Sequence, residues 1–175
     1  MVRRPPLDPV EPRAHRAPTD AVVALGSNLG DRKATFDDAV EEMRRLPLVD
    51  DVRISTPVET VAMKPDGLDE TAPRYLNAVA IVTTRLAPTV LLGFLHAIEQ
   101  RHGRERRELW GDRTLDLDLI AYGDLRSDDP ALLLPHPRAA DRDFVLVPWL
   151  ELDPDAVLPG VGRADAALQR LRESR

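Results

Sequence analysis

The chain has 175 residues, 43% of them hydrophobic, and sets 30 Asp and Glu against 24 Lys and Arg, a net charge of −6. That is one domain's length with enough apolar material for a core, and the acidic balance argues against a general binder of nucleic acid or of an anionic membrane surface. There is no cysteine, which excludes disulfides, thiolate catalysis and thiolate metal sites.

Residues 1–19 hold Pro5, Pro6, Pro9, Pro12 and Pro18 among charged side chains, with no apolar run behind them. This composition predicts a disordered tail and not a secretory signal. Residues 20–175 read as a single domain. An apolar run over 21–25, stopped by Gly26, predicts a buried strand. Phe36, Ala39, Val40 and Met43 then recur at helical spacing, with Asp31 in the first turn and Pro47 closing the segment. Residues 49–55 read as a strand, 64–73 as a polar loop and 75–84 as a strand rich in β-formers. Pro88 opens a second helix whose stripe is Val90, Leu91, Phe94, Leu95 and Ile98, and His102-Gly103 ends it. Residues 114–122 form a further strand. The order is β-α-β-β-α-β, the α+β order of a ferredoxin-like antiparallel sheet covered by helices. A C-terminal extension follows: a proline-punctuated stretch over 130–162 and a helix over about 164–171. No run approaches the ~18 apolar residues of a membrane span, and a cytoplasmic protein is expected; the acidic surface, with no long apolar face, favours a monomer.

The sharpest chemistry lies in Arg113-Thr114-Leu115-Asp116-Leu117-Asp118. In a strand Leu115, Leu117, Leu119 and Ala121 share one face, and Asp116 and Asp118 share the other. Two carboxylates side by side repel unless a cation sits between them, as in the paired Mg²⁺ sites of phosphoryl chemistry; a solvated strand face is the competing reading. Upstream stand Arg101, Arg104, Arg106, Arg107 and Arg113, residues suited to polyphosphate but interspersed with Glu105, Glu108 and Asp112, so a mixed solvated loop stays open. Tyr75 and Asn77 share a strand face and offer an aromatic platform beside a bidentate amide. His136, a lone histidine, is read as structural more readily than functional. No P-loop, dinucleotide fingerprint or His-Glu-x-x-His motif occurs.

Taken together, Gly26-Ser27-Asn28-Leu29-Gly30-Asp31, Tyr75-Leu76-Asn77, Ile98-Glu99, Gly103-Arg104, Trp110-Gly111-x-Arg113-Thr114-Leu115-Asp116-Leu117-Asp118 and Pro135-His136 through Phe144 resemble the 6-hydroxymethyl-7,8-dihydropterin pyrophosphokinase family of folate biosynthesis. The resemblance runs from about residue 21 to 162. It implies transfer of pyrophosphate from ATP, the co-substrate, to the pterin's hydroxymethyl oxygen, with two Mg²⁺ ions on Asp116 and Asp118. It implies catalytic roles for Arg104, Arg113, Asp116 and Asp118, and nucleotide contacts from Leu92, Glu99, Arg104, Arg106, Arg107, Trp110, Arg113, His136 and Arg142. The pterin is expected between Tyr75 and Phe144, read by Asn77 and by the chain near Thr60, Val61 and Met63. The sequence departs from the family at Asp112, where the usual pattern has proline, at Pro137 and Ala131, and at Val61-Ala62. Another two-metal nucleotidyl or phosphotransferase, or a non-catalytic sensing module on the same sheet, are the rival readings.

Overall fold

Val22, Val23 and Leu25 leave the first strand apolar on both faces, and such a strand belongs in the middle of a sheet covered on both sides. The computed structural model, which describes residues 17–64, 67–69, 74–103 and 114–174 (backbone alone at 62–64 and 67–69), places it there. Strand β1 (Thr19–Ser27) leads into α1 (Arg32–Arg44), then β2 (Val49–Ile54), β3 (Val58–Thr60) and a hairpin of β4 (Ala62–Lys64) and β5 (Gly67–Asp69). β6 (Tyr75–Thr84), α2 (Pro88–Arg101) and β7 (Asp116–Tyr122) complete the expected order. The main sheet runs β2-β6-β1-β7, every pair antiparallel, with β3 also on β6. That is the antiparallel ferredoxin-like core predicted from the sequence.

Two hydrophobic clusters lie on opposite faces of the sheet. Phe36, Val40 and Met43 of α1 and Leu91, Leu95 and Ile98 of α2 pack with Val23, Leu25, Leu117 and Leu119. On the other face Val22, Val79 and Ile81 meet Val145, Leu146 and Trp149 of α3 (Asp143–Leu152) and Ala164, Ala167 and Leu168 of α4 (Ala164–Glu173). Between β7 and α3 stand a short hairpin, β8 (Ser127–Asp129) and β9 (Leu132–Leu134), and a 3₁₀ turn over Ala139–Asp141. Strands β10 (Val157–Leu158) and β11 (Gly162–Arg163) form a second small hairpin ahead of α4.

The structure corrects the sequence reading in five places, one of them Val90, which lies outside the buried stripe of α2 and is 46% exposed at its start. The register of β1 and β7 shifts between Val22 and Val23, which pair with Ala121 and Leu119. Ile120 is the extra residue, so Ala121 joins the α3 face and not the face of Leu115, Leu117 and Leu119; a bulge reverses the alternation beyond it. Asp31 is the N-cap of α1, its side chain accepting from Ala34 N–H, and so stands just ahead of the first turn. Part of the expected polar loop over 64–73 is the β4–β5 hairpin. The proline-punctuated stretch contains a whole helix, α3, with Pro148 inside it.

Candidate active site

Helices α3 and α4 cover only part of their face of the sheet. Beyond them β1, β6 and β7 carry polar residues, and there the site is built. Gly26 of β1 pairs in register with Asn77 of β6 on one side and Asp116 of β7 on the other. Directly opposed residues of an antiparallel pair point to the same face, so Asn77, Gly26 and Asp116 form one rung. A Cβ on Gly26 would lie 3.6 Å from Asn77 Oδ1 and 3.9 Å from the Asp116 Cβ. Glycine therefore leaves the floor between amide and carboxylate bare. Gly26 is a site residue that sequence reasoning placed only in a motif. Its signal was a residue without a side chain at the end of a strand that is otherwise apolar.

Two residues along β7, Asp118 pairs across to Ala24 and points to the same face as Asp116. Arg142, the residue that precedes α3, donates from Nη1 to Asp118 Oδ2 at 3.2 Å. Its guanidinium also lies 5.7 Å from the centre of the Phe144 ring, a cation–π distance. One arginine thus joins the carboxylate pair to the expected ring-stacking residue.

On the β6 side, Asn77 is buried and donates from Nδ2 to Thr60 Oγ1 at 2.8 Å. Thr60 in turn lies opposite Tyr75 in the β3–β6 register. Tyr75 and Asn77, two apart on one strand, share the face of Asp116. The side chain of Met63 lies outside the described residues, and Val61 follows Thr60 between β3 and β4.

Beside Asp118 is a cavity of about 250 Å³ lined by Leu92 and His96 of α2, Leu117 and Leu119 of β7, and the chain from Pro130 to Leu134 with His136 and Pro137. It brings together Leu92 and His136, both expected as nucleotide contacts, and adds His96, which carried no motif. The Arg138 backbone N–H donates to His136 Nδ1 at 3.1 Å. An imidazole that accepts there carries its proton on the other nitrogen. Burial pushes the His136 pKa below its ordinary value of 6.5; the nearby Asp118 opposes this, and Arg142 and Arg138 reinforce it.

Glu99 sits on the opposite, α2 side of β7. It is 1% exposed, and its Oε1 accepts the Leu117 N–H at 2.8 Å, on the strand between the two aspartates. Arg104, Arg106, Arg107, Trp110 and Arg113, and the departure at Asp112, lie outside the described residues. Among the described residues no group of three His, Cys, Asp or Glu side chains is poised to hold a metal. Mg²⁺ at phosphate sites commonly takes one or two carboxylates and completes its shell with water and substrate oxygens, a donor set that Asp116 and Asp118 fit. Hard carboxylate oxygens are the donors that ion prefers.

Residues 22–154 match the family model described as 7,8-dihydro-6-hydroxymethylpterin-pyrophosphokinase. The chain belongs to this family. Its 2-amino-4-hydroxy-6-hydroxymethyldihydropteridine pyrophosphokinase relatives include those of Synechocystis sp., 41% identical over 82% of this chain and 71% of that protein, and of Pseudomonas aeruginosa, 41% identical over 78% and 82%. Among solved structures, Plasmodium falciparum HPPK-DHPS with STZ-DHP superposes with a TM-score of 0.66 at 11% identity. It covers 90% of this chain, which spans 46% of that larger one, and the likeness supports the fold. The matched stretch of the pyrophosphokinase model takes in the rung of Asn77, Gly26 and Asp116, the cavity residues and α3, and stops before α4.

Proposed function

We propose that this pterin pyrophosphokinase transfers the β,γ-pyrophosphoryl group of ATP to the hydroxymethyl oxygen of 6-hydroxymethyl-7,8-dihydropterin in folate synthesis, releasing AMP. The observation that carries the reading is the rung itself. It sets a buried amide suited to a flat heterocycle across β1 from a carboxylate suited to a metal–phosphate complex, with only Gly26 of that strand between them. A ring held at Asn77 and Tyr75 thereby directs its substituent toward phosphate held at Asp116 and Asp118.

In the reaction a bond forms between the hydroxymethyl oxygen and the β-phosphorus while the bond from that phosphorus to the AMP oxygen breaks. The hydroxyl proton is lost to solvent. Such a displacement asks the protein chiefly for alignment and for charge stabilisation. Asp116 and Asp118 would hold two Mg²⁺ ions, which supply positive charge against the triphosphate oxygens when bound. Arg142 steadies Asp118 and brings a guanidinium to the same place. The adenosine end is assigned to the cavity of Leu92, His96 and His136, which offers an apolar wall beside Asp118. The ring is assigned to Tyr75, Asn77, Thr60 and Phe144, and closure over the phosphates to Arg104, Arg106, Arg107, Trp110 and Arg113. Glu99, buried behind β7, fits a support for that strand better than a nucleotide contact.

The same reading takes residues 20–175 as one cytoplasmic domain acting as a monomer. Among the described residues, several exposed large hydrophobics stand on different elements, Val90 on α2, Val147 on α3 and Val157 on β10. No described helix is long and apolar enough to cross a membrane.

Nucleotide product analysis with MgATP and 6-hydroxymethyl-7,8-dihydropterin tests the reaction. Pterin-dependent AMP with no ADP is expected. ADP as product, or turnover independent of pterin, overturns the reading in favour of another two-metal transferase.

A further inference from the structure

Arg32 begins α1, directly after the Asp31 cap and Gly30, whose φ of +66° turns the chain into the helix. Its guanidinium reaches away from α1 in two directions. Nη2 donates to Glu59 Oε1 at 2.7 Å, and Nη1 donates to the Arg74 carbonyl at 2.8 Å. Glu59 immediately precedes Thr60 and Arg74 immediately precedes Tyr75. Thr60 and Tyr75 are themselves opposite one another in the β3–β6 register. One side chain therefore fastens the chain directly ahead of Thr60 and directly ahead of Tyr75.

The sheet alone holds this end weakly. β3 has three residues and, among the described strands, pairs with β6 alone, and a strand so short contributes few ladder bonds. Residues 55–57 separate it from β2: Ser55 N–H still donates to the Val79 carbonyl at 2.9 Å, but Val79 N–H donates to the Ser55 hydroxyl in place of a backbone carbonyl, and Pro57 has no N–H to give. Thr56 is anchored from outside the sheet, its backbone N–H and hydroxyl both donating to Glu151 of α3. Arg32 is the counterpart of Glu151 at the far end of β3, and the planar fork of arginine suits it to two partners at once.

We infer that Arg32 is a positioning residue for the pterin side of the site: by bracing Glu59 and Arg74 it fixes Thr60, and through Thr60 Oγ1 the amide of Asn77, against Tyr75. This rests on the proposed placement of the pterin at Tyr75 and Asn77. Arg32 touches neither Asp116, Asp118 nor the cavity assigned to adenosine, so its influence falls on one substrate. The ion pair is partly exposed, with side chains 30% and 46% accessible, and the expected effect is correspondingly moderate.

The test compares the full chain with Arg32→Ala, Arg32→Lys and Glu59→Gln by direct binding of 6-hydroxymethylpterin, of α,β-methylene-ATP with Mg²⁺, and by amide exchange across β3. Arg32→Ala is expected to weaken pterin binding roughly 3- to 10-fold, with nucleotide affinity unchanged and faster exchange over 58–60. Arg32→Lys, able to reach one partner and not both, should fall between. Glu59→Gln should add little on top of Arg32→Ala, because both break the same arm. Equal loss of both ligands overturns the inference, as does unchanged pterin affinity in Arg32→Ala. A wild-type chain that binds nucleotide but no pterin overturns the placement of the ring, and the inference with it.

Discussion

Asp116 and Asp118 stand two residues apart on one strand face, and Arg142 offsets part of their charge by its bond to Asp118. Under the proposed mechanism, replacing either by alanine removes an anchor for cationic charge against the triphosphate. Turnover with MgATP and pterin should fall by about 10³-fold or more in each variant, as when a charge-stabilising group is lost from a phosphoryl-transfer site. Steady-state AMP production checks it, and near-wild-type rates in both would remove the carboxylates from the mechanism. Gly26 separates activity from stability. A Cβ there meets Asn77 and Asp116 at ordinary contact distance, so Gly26→Ala should fold with its thermal midpoint within a few degrees. The added methyl stands on the floor between the two substrates' assigned places, so kcat/KM should drop by tenfold or more. His136 gives a pH signature. Its pKa is depressed, chiefly by burial. Between that lowered value and 6.5 the unfolded chain therefore binds more protons than the folded one. The stabilising contribution is complete above 6.5 and is lost as the pH falls through the folded value. An NMR titration of the imidazole should show a midpoint below 6.5, moving lower in Asp118→Asn and higher in Arg142→Ala, because Asp118 raises the value and Arg142 lowers it.

At the scale of elements, α3 is the least obvious part of the site and the most consequential. Its sequence, Asp-Phe-Val-Leu-Val-Pro-Trp-Leu-Glu-Leu, is dense in apolar residues and interrupted by Pro148, so neither a polar face nor an unbroken pattern announces a helix. Yet α3 sets Arg142 and Phe144 at its start, buries Leu146 and Trp149 on the sheet, and ties down Thr56 through Glu151. Trp149→Ala should cost about 3–5 kcal/mol, the range for emptying a large core position, read as a lowered denaturation midpoint. The core strands, by contrast, were legible because their apolar runs are long and bounded by Gly and Pro. The same period-two reading put Asp116 with Asp118 and Tyr75 with Asn77. It failed at Ala121, because a bulge at Ile120 leaves no mark in an all-apolar run, and at the β4–β5 hairpin, whose three-residue strands are too short to show a period. The cavity beside Asp118 was beyond reach for another reason. Leu92 came only through the family resemblance and His96 not at all, since what joins them is the packing of α2 on β7 and the return of β9, not any spacing along the chain.

For the whole molecule, the two ends of the chain make opposite demands, although both fall outside the stretch over 22–154 that defines the family. At the N-terminus the sheet begins at Thr19, paired with Thr84, and the composition of the preceding residues offers little to bury. Removing residues 2–16 should leave both turnover and thermal midpoint unchanged. The C-terminal helix α4 lies beyond the family stretch too, but Ala164, Ala167 and Leu168 are buried against the α3 face. Deleting residues 164–175 uncovers them and the residues they shield. A buried leucine alone accounts for about 1.5–3 kcal/mol, so the loss should reach about 3 kcal/mol and lower the midpoint by about 6–12 °C for a chain of this length. Because α4 packs behind α3 and away from the rung of Asn77, Gly26 and Asp116, the shortened protein should still turn over at low temperature and lose activity on warming, as its midpoint is crossed. Activity lost at every temperature would show that α4 supports the site directly through α3, and an unchanged midpoint would show that the second core closes without it.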